Sequence, residues 1–365
     1  MPSSMPQLVS IQYLRAVAAL MVVIYHARLH LDRLGLPAAG TDWLASGVDV
    51  FFVISGLIMW VSTAVQPVGT LAFWWRRVVR IVPLYWLLTT VLVAVSLLAP
   101  SLLRTARFDL AHTAASLLFL PWTHPVMGEP MPVLVPGWTL NYEMGFYLLF
   151  GLALALPARL RFWTVGGALL ALVVAARMVA APGLALRFYG ADLVLEFWLG
   201  MALGRLLLAG RMPGAGTSLA LLLLGVALLP LGWALSATMV PAPWPGLSRG
   251  LAVGPAAAMM VLGAMGLEAA GRVPLRRFPL RVGDASYGLY LCHVLVLAAV
   301  AEVWRRVWPG SASLGWSAGG LAATVLFVLA GAAVATIAAL ILYRFVETPL
   351  RRMMRARRTP VPQAA

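Results

Sequence analysis

The sequence predicts an all-α polytopic membrane protein, a bundle of about ten transmembrane helices with both termini in the cytoplasm. Three observations point there. Of 365 residues, 62% are hydrophobic and only 11% charged, with a mean hydropathy of +0.91, more apolar surface than a soluble domain of this length could hide. Apolar runs of about 20 residues recur along the chain, each long enough to cross a hydrocarbon core of about 30 Å. Arginine is distributed unevenly between the connecting segments, which orients the bundle.

Ten spans are expected, near residues 10–30, 46–65, 81–99, 136–156, 162–181, 191–209, 217–237, 250–269, 285–304 and 320–346. The apolar stretch Leu110 to Trp122 is too short to cross and reads as a re-entrant or interfacial segment. With the N-terminus inside, 17 arginines fall on the cytoplasmic side and eight outside, which satisfies the positive-inside rule. All 27 basic residues are Arg, so the choice of Arg over Lys at any one position says little, and only its place is informative. Residues 1–350 form one membrane domain, with 351–365 a short basic cytoplasmic tail. The opening residues Met1 to Ser10 lack the basic n-region of a cleaved signal peptide, so the first helix is expected to stay.

The first helix carries Arg15 and His26, eleven residues apart. That spacing returns to within about 20° of the same face and spans about 16 Å. Small residues Ala18, Ala19 and Val22 lie between them, suggesting a shallow slot from a basic inner end to an imidazole near the outer side. Ionisable groups inside spans are costly and become functional candidates by default, although snorkelling to the two interfaces is the plain alternative for this pair.

The second helix opens with Gly47-Val-Asp49 and runs inward, so Asp49 enters near the depth of His26. A carboxylate beside an imidazole orients the ring and raises its basicity. Before the third span, Phe73-Trp-Trp-Arg76-Arg77-Val-Val-Arg80 puts Arg77 and Arg80 on one face if that stretch is helical. Paired guanidinium groups there could bind phosphates, or serve topology alone. The fourth span begins Trp138-Thr-Leu-Asn141-Tyr-Glu143, embedding an acid and an amide near the outer third, while Trp138 also fits an interfacial aromatic belt. The ninth reads Ser286-Tyr287-Gly-Leu-Tyr290-Leu-Cys-His293, with Tyr287, Tyr290 and His293 at i+3 steps; an interhelical hydrogen-bond network explains this as well as catalysis does. Tyr343, Glu347 and Pro349 close the tenth, with Glu347 expected to pair with cytoplasmic arginines.

Other classes are disfavoured. The net charge of +15 follows from cytoplasmic loop arginines and does not call for nucleic acid. One cysteine, Cys292, excludes an intrachain disulfide framework, and five scattered histidines show no metal-ligand spacing.

Taken together these segments resemble the acyltransferase-3 family of membrane O-acyltransferases, and most closely its exopolysaccharide-modifying, ExoZ-like branch. The resemblance rests on Gln12 to Ala16 with His26, Gly47 to Gly56, Arg76 to Trp86, Gly137 to Tyr147, Ser286 to His293, and Tyr343 to Pro349, in the family's order along nearly the whole chain. It implies a ten-helix enzyme of the bacterial inner membrane that moves an acyl group, acetyl by family precedent, from cytoplasmic acyl-CoA to a glycan or lipid-linked saccharide at the outer face. By the same resemblance His26 is the essential histidine, Arg15 its Arg-ten-residues-His partner, and Arg77 and Arg80 the Arg-x-x-Arg motif.

The expected mechanism joins both readings. Arg15, Arg77 and Arg80 hold the coenzyme A phosphates, the pantetheine arm follows the small face of the first helix, and His26, oriented by Asp49, acts as general base. Glu143 and Asn141 shape the outer pocket or polarise the acceptor, Glu143 as a third catalytic candidate, with Trp138, Tyr287 and His293 as the supporting network. Membrane lipid surrounds the protein, and polysaccharide biosynthesis proteins are its natural partners. A polysaccharide or lipid-linked sugar transporter, or a non-catalytic assembly subunit, would also need ten helices with buried polar groups.

Overall fold

The computed structural model describes residues 8–38, 40–99, 108–239 and 246–356. Among them there are fourteen α-helices and no strand. In order these are α1 (Val9–Arg33), α2 (Gly47–Val65), α3 (Thr70–Leu98), α4 (Leu110–Leu117), α5 (Trp138–Ala153), α6 (Ala158–Met178) and α7 (Leu184–Tyr189). They continue with α8 (Leu195–Leu208), α9 (Ala215–Met239), α10 (Gly246–Ala269), α11 (Arg277–Asp284), α12 (Ser286–Val307), α13 (Ala318–Leu342) and α14 (Thr348–Ala356).

Each of the ten expected spans is a helix. Eight are long and apolar enough to cross a membrane. The other two, α5 with 16 residues and α8 with 14, are prolonged at their amino ends by 3₁₀ turns over Val135–Gly137 and Asp192–Val194. They fall short in length, and both carry buried polar residues, Asn141 in α5 and Glu196 in α8.

Three boundaries differ from expectation. Helix α3 starts at Thr70 rather than near 81, and Pro83 lies inside it. Loss of one backbone donor is tolerated in a span packed against neighbours, and the shift places Arg76, Arg77 and Arg80 on a helix. The stretch beginning at Leu110 is helical for eight residues only and breaks at Phe119, whose φ is 59°. At the carboxyl end the last span runs on past Glu347 into α14, which ends at Ala356.

Helix α1 is the hub, packing against α2, α10, α11, α12 and α13. Its amino end is held by Glu268 of α10, whose carboxylate accepts from the amides of Val9 (2.8 Å) and Ser10 (2.9 Å) and from the Ser10 hydroxyl (2.5 Å). A carboxylate at that end satisfies orphan amides and the helix dipole together. At the carboxyl end of α1 Arg28 pairs with Asp42 in the turn before α2.

Two apolar cores flank α1. One joins α1, α3, α5, α12 and α13 around Tyr85, Phe150 and Phe327. The other joins α1, α2, α8 and α10 around Val53, Leu57 and Val261. Helices α2 and α8 cross at backbone contact, because a side chain at Gly56 would overlap the Phe197 carbonyl and one at Gly200 the Val53 carbonyl. Small residues are what permit such crossings in a membrane. By contrast α9 and α13 keep most of their apolar surface outward, as lipid-facing helices do.

Candidate active site

The expected slot on α1 is closed. Ala18 and Ala19 are fully buried and Val22 is 1% exposed, and the Gly47 backbone of α2 lies so close to the Ala18 carbonyl that no side chain would fit. The open space is instead one wall further round. A cavity open at its mouth lies between α1, α2, α3, α5 and α12. Along α2 it runs past Val48, Phe52, Ser55 and Met59, which at about 1.5 Å per residue is a length of about 16 Å.

One end of this cavity is cationic. Arg15, Arg77 and Arg80 line it against one carboxylate, Glu143. Arg77 lies over the rings of Phe73 and Tyr147, 5.6 and 5.8 Å from their centroids, and its buried Nε has no hydrogen-bond partner. Arg15 donates to Gln12 Oε1 at 3.2 Å. Behind this end Glu347 of the π-helical turn Tyr343–Glu347 pairs with Arg351 at 2.5 Å.

The middle of the cavity is a hydroxyl–carboxylate cluster. Glu143 Oε1 accepts from Ser55 Oγ at 3.0 Å and from the Tyr147 hydroxyl, which itself lies 3.2 Å from Ser55 Oγ. Opposite, Tyr287 donates its hydroxyl to the Ile81 carbonyl at 2.6 Å, while Ser286 Oγ lines the space fully buried and unpartnered. Towards the end away from the arginines, the Thr139 hydroxyl donates to Tyr290 at 2.9 Å.

The histidines lie just beyond. Tyr290 and His293 have ring centroids 6.0 Å apart, and His293 and His26 4.8 Å apart. His26 Nδ1 is 2.9 Å from the Val22 carbonyl and 3.2 Å from His293 Nε2, and His293 Nδ1 is 3.2 Å from the Leu289 carbonyl. Carbonyls only accept, so each Nδ1 carries a proton. Neutral His293 then offers an Nε2 lone pair to the His26 Nδ1–H, and the second ring nitrogen of His26 keeps a free lone pair. That is the tautomer a general base needs.

The partner expected for His26 is elsewhere. Asp49 has the depth but not the direction: its carboxylate is gripped by Arg249 of α10. Arg249 Nε lies 3.0 and 3.1 Å from the two carboxylate oxygens and Nη2 2.5 Å from Oδ2, with Nη2 also donating to the Ala45 carbonyl at 2.8 Å. The guanidinium stacks on Trp233, 4.9 Å from the ring centroid. Ring orientation at His26 therefore falls to Val22 and His293.

Asn141 and Trp138 stay outside the cavity. Asn141 is buried with Oδ1 unpartnered, and Trp138 packs edge-on against Tyr142, centroids 5.8 Å apart. Residues that the sequence had not singled out include Ser55, Tyr147 and Thr139, whose hydroxyls are ordinary in a membrane helix. Arg249 had one available signal, an arginine on the side where the positive-inside bias disfavours it.

The chain matches known proteins across its length. The acyltransferase domain family Acyl_transf_3 matches residues 8–344. The exopolysaccharide production protein ExoZ of Rhizobium meliloti (strain 1021) is 40% identical over 317 residues, covering 86% of this chain and 92% of the relative. The acyltransferase MdmB of Streptomyces mycarofaciens is 29% identical over 416 aligned positions, covering 100% and 96%. No solved structure matches.

Proposed function

The chain belongs to the Acyl_transf_3 acyltransferase family, and from that premise we propose that it moves an acyl group, acetyl in the simplest case, from cytoplasmic acyl-CoA to a hydroxyl of an exopolysaccharide or its lipid-linked precursor. The bacterial inner membrane is its place, with both termini inside. The exopolysaccharide acceptor is argued from the name of the relative in Rhizobium meliloti; the donor is argued from the cavity.

One observation carries this reading: a cavity with three guanidinium groups at one end closes, at the other, one ring short of the His293–His26 pair. The coenzyme's phosphates pair with Arg15, Arg77 and Arg80. Its pantetheine arm lies along α2 past Ser55 and Glu143, and its thioester comes up beside Thr139 and Tyr290. The acceptor hydroxyl arrives from the outer side. His26 Nε2 takes its proton as the oxygen attacks the thioester carbonyl; the C–O bond forms, the C–S bond breaks, and the departing thiolate receives the proton back from the imidazolium. His26 Nδ1–H keeps its two acceptors throughout, which stabilises the charged ring. Glu143 takes the hydroxyl protons of Ser55 and Tyr147, which leaves their oxygens lining the arm as acceptors.

The test uses the purified full chain in lipid vesicles with acetyl-CoA and a deacetylated polysaccharide. Acceptor-dependent release of free coenzyme A thiol, abolished in His26→Ala, is the expected outcome. Activity undiminished by that substitution would remove His26 from the chemistry, and no thiol release from the native protein would favour the transporter or assembly-subunit readings.

A further inference from the structure

Helix α8 carries an acid that the acyl-transfer scheme does not use. Glu196 is fully buried, lies outside the cavity lining, and neither of its carboxyl oxygens has a hydrogen-bond partner. Its charged neighbours are Asp49 and Arg249. The donors of Arg249 that bond within the protein go to Asp49 and the Ala45 carbonyl. On the other side α10 closes tightly, since a side chain atom added at Gly254 would stand 3.0 Å from Glu196 Cγ and 3.3 Å from Oε1. The remaining acid nearby, Asp192, has its own partners: the amides of Gly250 and Leu251 at 3.2 and 3.3 Å, and Arg177 at 3.7 Å.

Two carboxyls thus stand near one guanidinium in an apolar core, and its bonds go to Asp49 alone of the two. If both were ionised they would repel, and two groups that only accept could form no hydrogen bond between them. An ionised Glu196 would also be a buried charge without a donor. One proton removes all three conflicts. Asp49, with its bonds from Arg249, is the member stabilised as a carboxylate, so the proton belongs on Glu196.

We propose that Glu196 is a neutral carboxylic acid whose O–H donates to Asp49, making it the positioning residue of a Glu196–Asp49–Arg249 triad that ties α8 and α10 to the outer end of α2. That end matters to the site, because Gly47 seats against α1 and Val48, Phe51 and Phe52 wall the cavity. The triad acts through α2 and touches no reacting atom. The effect on transfer rests on the acyltransferase reading; the protonation state does not.

The deciding experiment compares the full-length native protein with Glu196→Gln and Glu196→Ala. Infrared spectra of native protein should contain a protonated-carboxyl C=O band, shifted in deuterium oxide and absent from Glu196→Gln. Glutamine keeps the shape and a donor, so Glu196→Gln should retain transfer within about twofold, whereas Glu196→Ala, leaving Asp49 short of a donor, should lose about tenfold. A Glu196→Gln spectrum that keeps the full band overturns the proposal, as does a Glu196→Gln enzyme impaired as badly as Glu196→Ala. The infrared comparison decides even if Glu196→Ala does not fold or the chain transfers no acyl group.

Discussion

At the scale of single residues, the imidazole pair and the acid–guanidinium grip divide work that one dyad might have done. His26 is set by a carbonyl and a second imidazole, so removing His293 should cost less than removing His26. In acyl-transfer assays His26→Ala is expected to lose at least about 100-fold in kcat, the lower end of what general base catalysis contributes. His293→Ala should fall between that and the native enzyme, because Val22 still holds the ring. Asp49 now belongs to stability. Asp49→Asn removes the carboxylate that grips the Arg249 guanidinium, 13% exposed; breaking a buried pair costs about 3–5 kcal/mol, less whatever ionisation of Glu196 restores. Thermal denaturation in detergent should show that loss, and a double variant Asp49→Leu/Arg249→Met should recover much of it.

At the scale of elements, the α2–α8 crossing is the joint on which the cavity's wall rests. Gly56→Leu would drive four carbon atoms into the Phe197 backbone, and overpacking of that kind costs about 1–3 kcal/mol or forces the helices apart. Lower melting temperature together with weaker donor binding is expected, since α2 supplies both the crossing and the wall. The segment around α4 responds to a different variable. His124 is buried at 2% exposure, and its Nδ1 accepts from the Val126 and Met127 amides at 3.1 and 3.2 Å. Burial, and secondly the neighbouring His112, hold its pKa below the ordinary histidine value. The folded segment therefore binds fewer protons than the unfolded one, so its stability is complete above the usual histidine value of about 6.5 and fades as pH falls through the lower folded value. Amide exchange at Val126 and Met127 should quicken on acidification beyond the intrinsic rate, and His124→Gln should remove that response.

At the scale of the whole molecule, an asymmetric bundle offers a cationic cavity end on one side and imidazoles towards the other. Replacing Arg77 and Arg80 together with Gln should raise the apparent KM for acyl-CoA well before it lowers kcat, because both act at the donor's phosphates; an unchanged KM would count against them. The inferred orientation has its own measurement. Alkaline phosphatase fused after Arg187 should be active, and fused after Arg211 inactive, if α8 separates an outer from an inner segment as the arginine bias requires.

Much of this was legible in the chain itself. Apolar runs determined that helices form and roughly where, because span length answers to bilayer thickness, a quantity readable without contacts. Helical periodicity placed Arg15 and His26 on one continuous helix, and spacing put Arg77 with Arg80. Where arginines interrupt the apolar run the boundary was not legible: the third span reads from near 81, although its helix begins at Thr70. Depth was also legible, as Asp49 shows, since depth follows from counting residues along a span. Direction was not. Which way Asp49 points, what grips it, that α2 fills the slot on α1, and that His293 faces His26 all depend on how helices distant in sequence rotate against each other. That rotation is set by close crossings at Gly47, Gly56 and Gly200, whose partners lie in other helices, and so only the tertiary structure decides it.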